Sequence, residues 1–155
     1  MATARELLDA LATDGPDHRL LRGYVPIKKP WGWSIPQVRT PEMHQDICLI
    51  ETGGYSSIHK HVAKSNVFIV LDGILTINWF AAPYRAGEEP RFNRRVVMRG
   101  ATPSNNCVAS PGELHQFDAD GGGAVMLLEI YTPAFTGKPL VADDIVRFST
   151  NGLRQ

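Results

Sequence analysis

At 155 residues and 17.1 kDa, with 43% hydrophobic and 21% charged residues, the chain has the make-up of one folded domain with a core of its own. Its 16 basic residues balance its 16 acidic ones, so neither a basic face for nucleic acid nor an acidic tail is expected. No apolar run approaches the roughly 18 residues of a membrane helix and no charged-then-apolar leader opens the chain, while Cys48 and Cys107 form no CxxC pair; the expectation is a soluble, cytoplasmic protein with two buried thiols and no disulfide framework.

Leu7, Leu8 and Leu11 fall at i, i+1 and i+4 within Ala4–Ala12. That spacing predicts one short amphipathic helix, stopped near Asp14-Gly15-Pro16. His18, in the polar stretch beyond, is expected to be exposed. Residues 1–22 are read as helix and arm, and 23–155 as the main body. Gly23–Ile27 suits an edge strand, because Pro26 cannot donate to a ladder. In Lys28–Pro36, prolines and a glycine bracket Trp31 and Trp33. This predicts an ordered loop or extended arm, either plugging the end of a sheet or walling a ligand site.

Gln45–Glu51 and Ser56–His61 read as strands. Asn66–Leu71 and Ile74–Phe80 flank Asp72-Gly73, the residue pair that most favours a tight hairpin. Both faces of Asn66–Leu71 are apolar, which predicts burial on two sides. Ala81–Arg95 reads as a long exposed loop. Val96–Arg99, Cys107–Ala109, Glu113–Phe117 and Ala124–Tyr131 add strands, and Glu129 is a carboxylate in an otherwise apolar row of the last. Ala142–Phe148 suits a short helix or strand, with Asp143-Asp144 fitting a helix N-terminus. Many short strands, closely spaced turns and little helix predict an antiparallel all-β barrel.

His59 and His61 stand at i and i+2, so in a strand both imidazoles point to one side. His115 comes much later, after Pro111-Gly112, on the same strand face as Glu113 and Phe117. Three imidazoles from two strands make a candidate site for a transition metal. His44 has no partner at ligand spacing and reads as a surface or hydrogen-bonded residue.

In these residues the chain resembles the cupin superfamily. Gly53, His59, His61, Asn66 and Gly73 fall at the spacing of its first motif, and Gly112 and His115 at that of its second. Pro111 comes one place late, and Ala119 replaces the closing Asn. The resemblance implies an all-β, single-domain double-stranded β-helix, or jelly-roll barrel, with the short helix outside it. It implies a divalent metal (Zn, Fe, Mn or Ni) held by His59, His61 and His115. Asn66 stands where the family usually has a glutamate ligand. It is expected either to ligate weakly through its carbonyl oxygen or to hydrogen-bond a ligand.

Two further segments are similar to the cupin domain of type II mannose-6-phosphate isomerases. They are Lys29-Pro30-Trp31-Gly32 at its entry and Asp143-Asp144-Ile145-Val146-Arg147 at its close, so the likeness spans about Lys29 to Arg154. This implies a small-molecule substrate, a phosphorylated sugar, with the metal polarising its carbonyl or hydroxyl. Glu113 or Glu129 would move the proton, and Lys28, Lys29 or Arg147 would hold phosphate. Trp31, Phe68 and Tyr131 join Lys29 as expected substrate-binding residues, and a homodimer is the family expectation. Two other readings stay open: a three-histidine Fe(II) dioxygenase, and a non-catalytic cupin that binds a small molecule.

Overall fold

The computed structural model describes residues 2–15, 23–81, 88, 91–134, 137–141 and 144–154. His18, Asp143 and most of the expected loop between 82 and 90 lie outside the described residues. The helix forms as expected. In α1 (Ala4–Asp14) the Thr3 hydroxyl accepts from the Glu6 N–H, and the Glu6 carboxylate accepts from the Thr3 N–H at 2.8 Å. This reciprocal cap satisfies two of the orphan donors of the first turn, and Gly15, with φ of 68°, ends the helix.

Thirteen strands follow among the described residues: β1 (Ile27–Lys29), β2 (Gly32–Arg39), β3 (His44–Ile50), β4 (Gly54–Tyr55), β5 (His59–His61), β6 (Lys64–Asp72), β7 (Ile74–Phe80), β8 (Phe92–Arg99), β9 (Asn106–Ala109), β10 (Leu114–Asp118), β11 (Val125–Pro133), β12 (Ile145–Arg147) and β13 (Gly152–Leu153). They form two antiparallel sheets. The first runs β1-β2-β3-β11-β6-β9. In the second, β10 is central, with β7 and then β8 on one side and the short β5 and β4 on the other. Strands β12 and β13 pair with β5 and β4 in turn. The result is the jelly-roll architecture of a double-stranded β-helix.

Several elements differ from the sequence reading. Asp72-Gly73 is no hairpin. β6 pairs with β11 and β9 in the first sheet, and β7 with β10 and β8 in the second. The turn is a corner at which the chain changes sheets. Gly73 has φ of 84°, and a Cβ there would meet the Ala124 carbonyl oxygen at 2.5 Å. The glycine serves a positive φ and a close backbone approach, which a corner needs as much as a hairpin does. Nor is β6 buried on both faces. Asn66, Phe68 and Val70 are fully buried, whereas Val67, Ile69 and Leu71 are only half-buried.

Lys28–Pro36 is mostly strand rather than loop. Pro36 is tolerated because it lies beyond β1's pairing and beside a register shift in the β2–β3 ladder. Ser56–His61 breaks at residues 56–58. The expected loop before Val96 already becomes β8 at Phe92. Of the two readings open for the segment near 142–148, the structure has strand, at Ile145–Arg147.

The core lies between the sheets, built on Cys48, Ile50, Phe68, Leu75, Ile77, Met98, Phe117, Val125 and Leu127. A smaller cluster lies outside the first sheet. There Ala4, Leu8 and Leu11 of α1 cover Ile35, Leu49 and Met126. Among the described residues no helix is long and apolar enough to cross a membrane. Beside the apolar core, the interior turns polar, and the candidate site lies there.

Candidate metal centre

The structure brings the three histidines together. His59 and His61 share the inner face of β5, and His115 is the direct cross-strand partner of His59. All three are buried. Ring centroids lie 4.5 Å apart for His59–His115, 5.1 Å for His59–His61 and 5.7 Å for His61–His115. One ligating nitrogen from each lies within 4.8 Å of the others.

Hydrogen bonds to the far side of each ring decide which nitrogen is available. His59 Nδ1 lies 2.7 Å from the Ser57 carbonyl oxygen, and His115 Nδ1 lies 2.9 Å from that of Glu113. A carbonyl only accepts, so each Nδ1 carries the proton. His61 Nδ1 faces the Asp144 carboxylate at 3.2 Å and donates to it. The break in the strand at 56–58 is what turns the Ser57 carbonyl under the ring. All three Nε2 atoms therefore present bare lone pairs. Among the described residues His61 Nε2 and His115 Nε2 are buried with no partner, and His59 Nε2 makes no hydrogen bond. Unpartnered buried acceptors are costly unless something else satisfies them. Three that converge, each braced from behind, fit a metal cation.

Electrostatics favour the same protonation. Burial, and then the neighbouring His115, hold His59 well below the ordinary imidazole range. Burial, then the Lys64 ammonium and His115, lower His61 to about 4. Burial also lowers His115, against the pull of the Glu113 carbonyl. All three imidazoles are neutral at neutral pH, the form in which a histidine can ligate a metal.

This has a consequence for the metal-free protein. Below pH 6.5 the unfolded chain takes up protons on these imidazoles while the native chain does not, so stability falls with acidification. For His61 the window runs from 6.5 to about 4. Glu129 and Asp118, whose carboxyls are raised by burial, act in the opposite sense at the acid end of this range, but they are two groups against three imidazoles. The melting temperature of chelator-treated protein is expected to fall steadily from pH 7 to pH 5 at constant ionic strength. A flat or rising trend would contradict the buried neutral triad.

Asn66 is fully buried, and its Nδ2 donates to Glu129 Oε1 at 2.8 Å. Its Oδ1 has no partner among the described residues. A neutral carbonyl oxygen is left over at the position where the resemblance expects an acidic ligand.

A cavity of about 160 Å³ opens beside the triad, and His59 borders it while His61 and His115 do not. Of the expected substrate-binding residues, Lys29, Trp31 and Tyr131 line it. Phe68 does not. It packs in the core, 5.9 Å from the His115 ring. Trp31 stacks edge-on against Phe117 at 5.2 Å, so it is at once core and cavity wall.

The two expected proton-moving residues part company. Glu129 borders the cavity, buried, receiving hydrogen bonds from Asn66, Tyr131 and the Cys48 thiol. Burial raises its pKa against those donors. Glu113 lies outside β10, which begins at Leu114, and so does not share the inward face of His115. Its carboxylate accepts from the Ser110 N–H at 2.7 Å and pairs with Arg94 at the surface.

Sequence reading missed Asp144, Lys64 and Asp46. Asp144 is buried and accepts from the Ala63 N–H at 2.9 Å, pairs with Lys64 at 2.9 Å and braces His61. Burial pushes its carboxyl up, but Lys64 and the Ala63 N–H outweigh that and hold it below the usual range. No local pattern marks such a residue, since its partners are some 80 positions away in the chain. Asp46 left a signal: it alternates with Cys48 and Ile50, which places it inward. It borders the cavity, bonded to Ser34 and Arg39.

No family model matches the sequence, and no curated protein does. Solved structures do match. Capsular polysaccharide assembling protein CapF from Staphylococcus aureus aligns with a TM-score of 0.61 at 15% identity, over 94% of this chain and 38% of that one. Lactobacillus farciminis oxalate decarboxylase aligns at 0.58 and 10% identity, over 81% of this chain and 34% of that one. A double-stranded β-helix protein from Klebsiella pneumoniae aligns at 0.51 and 12% identity, over 83% of both chains. This chain thus spans less than two-fifths of the CapF and oxalate decarboxylase chains. Two facing sheets, shared with these structures, and three buried histidines at their polar end give this protein the cupin fold with a candidate metal centre inside it.

Proposed function

We propose that the chain is a metal-binding cupin enzyme that moves a proton on a small oxygenated substrate, in the manner of an isomerase or epimerase. The observation that carries this reading is that the buried carboxyl of Glu129 borders the same small cavity as His59, one of three clustered histidines whose Nε2 atoms are bare. A divalent cation held by His59, His61 and His115 would supply Lewis-acid polarisation of a substrate carbonyl or hydroxyl. Glu129 is the proton acceptor and donor. Asn66, Tyr131 and Cys48 fix its orientation. Its raised pKa brings it nearer to neutrality, where a general base is most effective. Trp31 and Phe117 give the cavity an apolar wall. The similarity of the chain's ends to type II mannose-6-phosphate isomerases belongs to the same reading, with a phosphorylated sugar as its most specific form and a pair of chains as the assembly.

The three-histidine dioxygenase reading is favoured by one feature: the triad offers neutral nitrogen ligands only, with no acidic residue grouped with it among the described residues.

Elemental analysis of the purified protein, followed by incubation with aldose and ketose phosphates in deuterated water, separates these readings. The expected result is about one divalent metal per chain, deuterium incorporated beside the carbonyl, and metal lost in His115→Ala. Bound iron with oxygen uptake and no deuterium incorporation supports the dioxygenase. No metal above trace refutes both.

A further inference from the structure

Residues 144–154 run as a strap along β5 and β4, on the side away from β10, with β12 paired to β5 and β13 to β4. The strap's own side chains anchor it weakly. Asp144 is its only buried residue, while Val146, Arg147, Leu153 and Arg154 are exposed. A segment that buries no apolar side chain is tied mainly by hydrogen bonds, and such segments open locally at low cost.

Yet the strap is built into the site. Ile145, Arg147 and Asn151 line the cavity, together with Asp46 and Glu129 of the first sheet. At one end the Asp144 carboxylate accepts from His61 Nδ1 at 3.2 Å. In the middle the Phe148 N–H donates to the Ile58 carbonyl at 2.8 Å, and the Ser149 hydroxyl accepts from the Ile58 N–H at 2.7 Å. These two bonds hold the strand break that turns the Ser57 carbonyl under His59. At the other end the Arg154 N–H donates to the Gly53 carbonyl at 2.9 Å, and the Arg154 guanidinium pairs with Asp118. The two ends differ in strength. Asp144 is buried among three donors, whereas the Arg154 side chain is 49% exposed, so water competes for its pair. Arg154 is the latch and Asp144 the pivot.

Metal occupancy biases this equilibrium. A cation on His61 Nε2 draws charge from the ring and strengthens the bond from Nδ1 to Asp144. Without one, the buried Nε2 atoms of His61 and His115 have no partner among the described residues. Lifting β12 from β5 opens that end of the sandwich to water, which relieves them. We infer that residues 144–154 close the cavity when metal is bound and lift from the Arg154 end when it is absent, so that metal release and cavity opening are one motion. The inference rests on the metal centre and not on the reaction proposed for it.

Release of cobalt(II) to excess EDTA, followed by its visible absorption, tests this. Lys60 and Val146 are direct cross-strand partners and neither is buried. Positions so paired lie about 4.5–5.5 Å apart, a span that a disulfide bridges. A Lys60→Cys/Val146→Cys variant, oxidised before loading, is expected to release cobalt at least about tenfold more slowly than its reduced form, because the cross-link penalises opening. Arg154→Ala, which frees the latch without touching a histidine, is expected to release it about threefold faster, the weight of a half-exposed ion pair. Amide exchange followed by NMR gives a second reading. On metal removal the Phe148 and Arg154 amides are expected to lose more protection than those of β11. Equal release from the oxidised and reduced forms, a wild-type rate in Arg154→Ala, or equal loss of protection in the strap and β11 overturns the inference and leaves the metal centre standing. A protein that takes up no cobalt overturns both.

Discussion

Glu129→Gln is expected to keep its metal and lose turnover by about 10²–10⁴-fold, the range that a positioned acid–base group supplies. The substitution is nearly isosteric. The new side chain can turn its amide oxygen to Asn66 Nδ2, which needs an acceptor, and its amide nitrogen toward Tyr131 and Cys48, which now surround a carboxylate. Metal content and melting temperature should therefore stay near wild type while solvent deuterium ceases to enter the substrate. This pattern separates a proton-moving role from a packing role. A merely structural Glu129 would lower the melting temperature before it lowered kcat. If the Gln variant turns over at the wild-type rate, Glu129 is not the base. No other carboxylate bordering the cavity except Asp46 would then be left for the role among the described residues, and Asp46 is already paired with Arg39.

The second large effect is expected at Asp144. Its carboxylate receives three donors: His61 Nδ1, Lys64 Nζ and the Ala63 N–H. Asp144→Ala removes the brace that fixes the His61 tautomer, and metal affinity is expected to fall about 10–100-fold. It also removes the carboxylate from a buried lysine. Breaking a buried pair from one side costs about 3–5 kcal/mol. Lys64 keeps the Val141 carbonyl at 3.5 Å, so the low end, about 3 kcal/mol, is expected here. Asp144→Asn retains an acceptor but not the charge and should fall between. Competition against a calibrated chelator reads the affinity, and urea denaturation of the metal-free protein reads the stability. Wild-type metal affinity in Asp144→Ala would show that His61 needs no brace. Unchanged stability would show that Lys64 is held by its other contacts.

Similarity to CapF and oxalate decarboxylase is a statement about backbone, at 15% identity or less. The chemistry is argued from side chains, and there the legible and the illegible divide cleanly. His59 and His61 could be placed on one face from their spacing alone, because side-chain direction in a strand repeats every second residue. The same rule singled out Glu129 in its apolar row. It failed for Glu113, because where a strand begins depends on the preceding turn. At Ser110–Glu113 the backbone turns, and the Glu113 carboxylate caps Ser110 instead of pointing inward.

Period, composition and turn residues were enough to specify an all-β chain with one capped helix, and two histidine segments suited to a single site. These are local properties: each depends on residues a few positions apart. What they could not specify was pairing. Asp72-Gly73 meets the needs of a hairpin and of a corner equally. Only the competing claims of β11 and β9 on β6 sent β7 to the other sheet. Pairing also brought Asp144 to His61, set Lys29 and Arg147 on one cavity, and bonded Asn66 to Glu129 with its own carbonyl oxygen left unanswered. Contacts across such distances in the chain form only when the two sheets close on each other, and the site's charge balance is decided there.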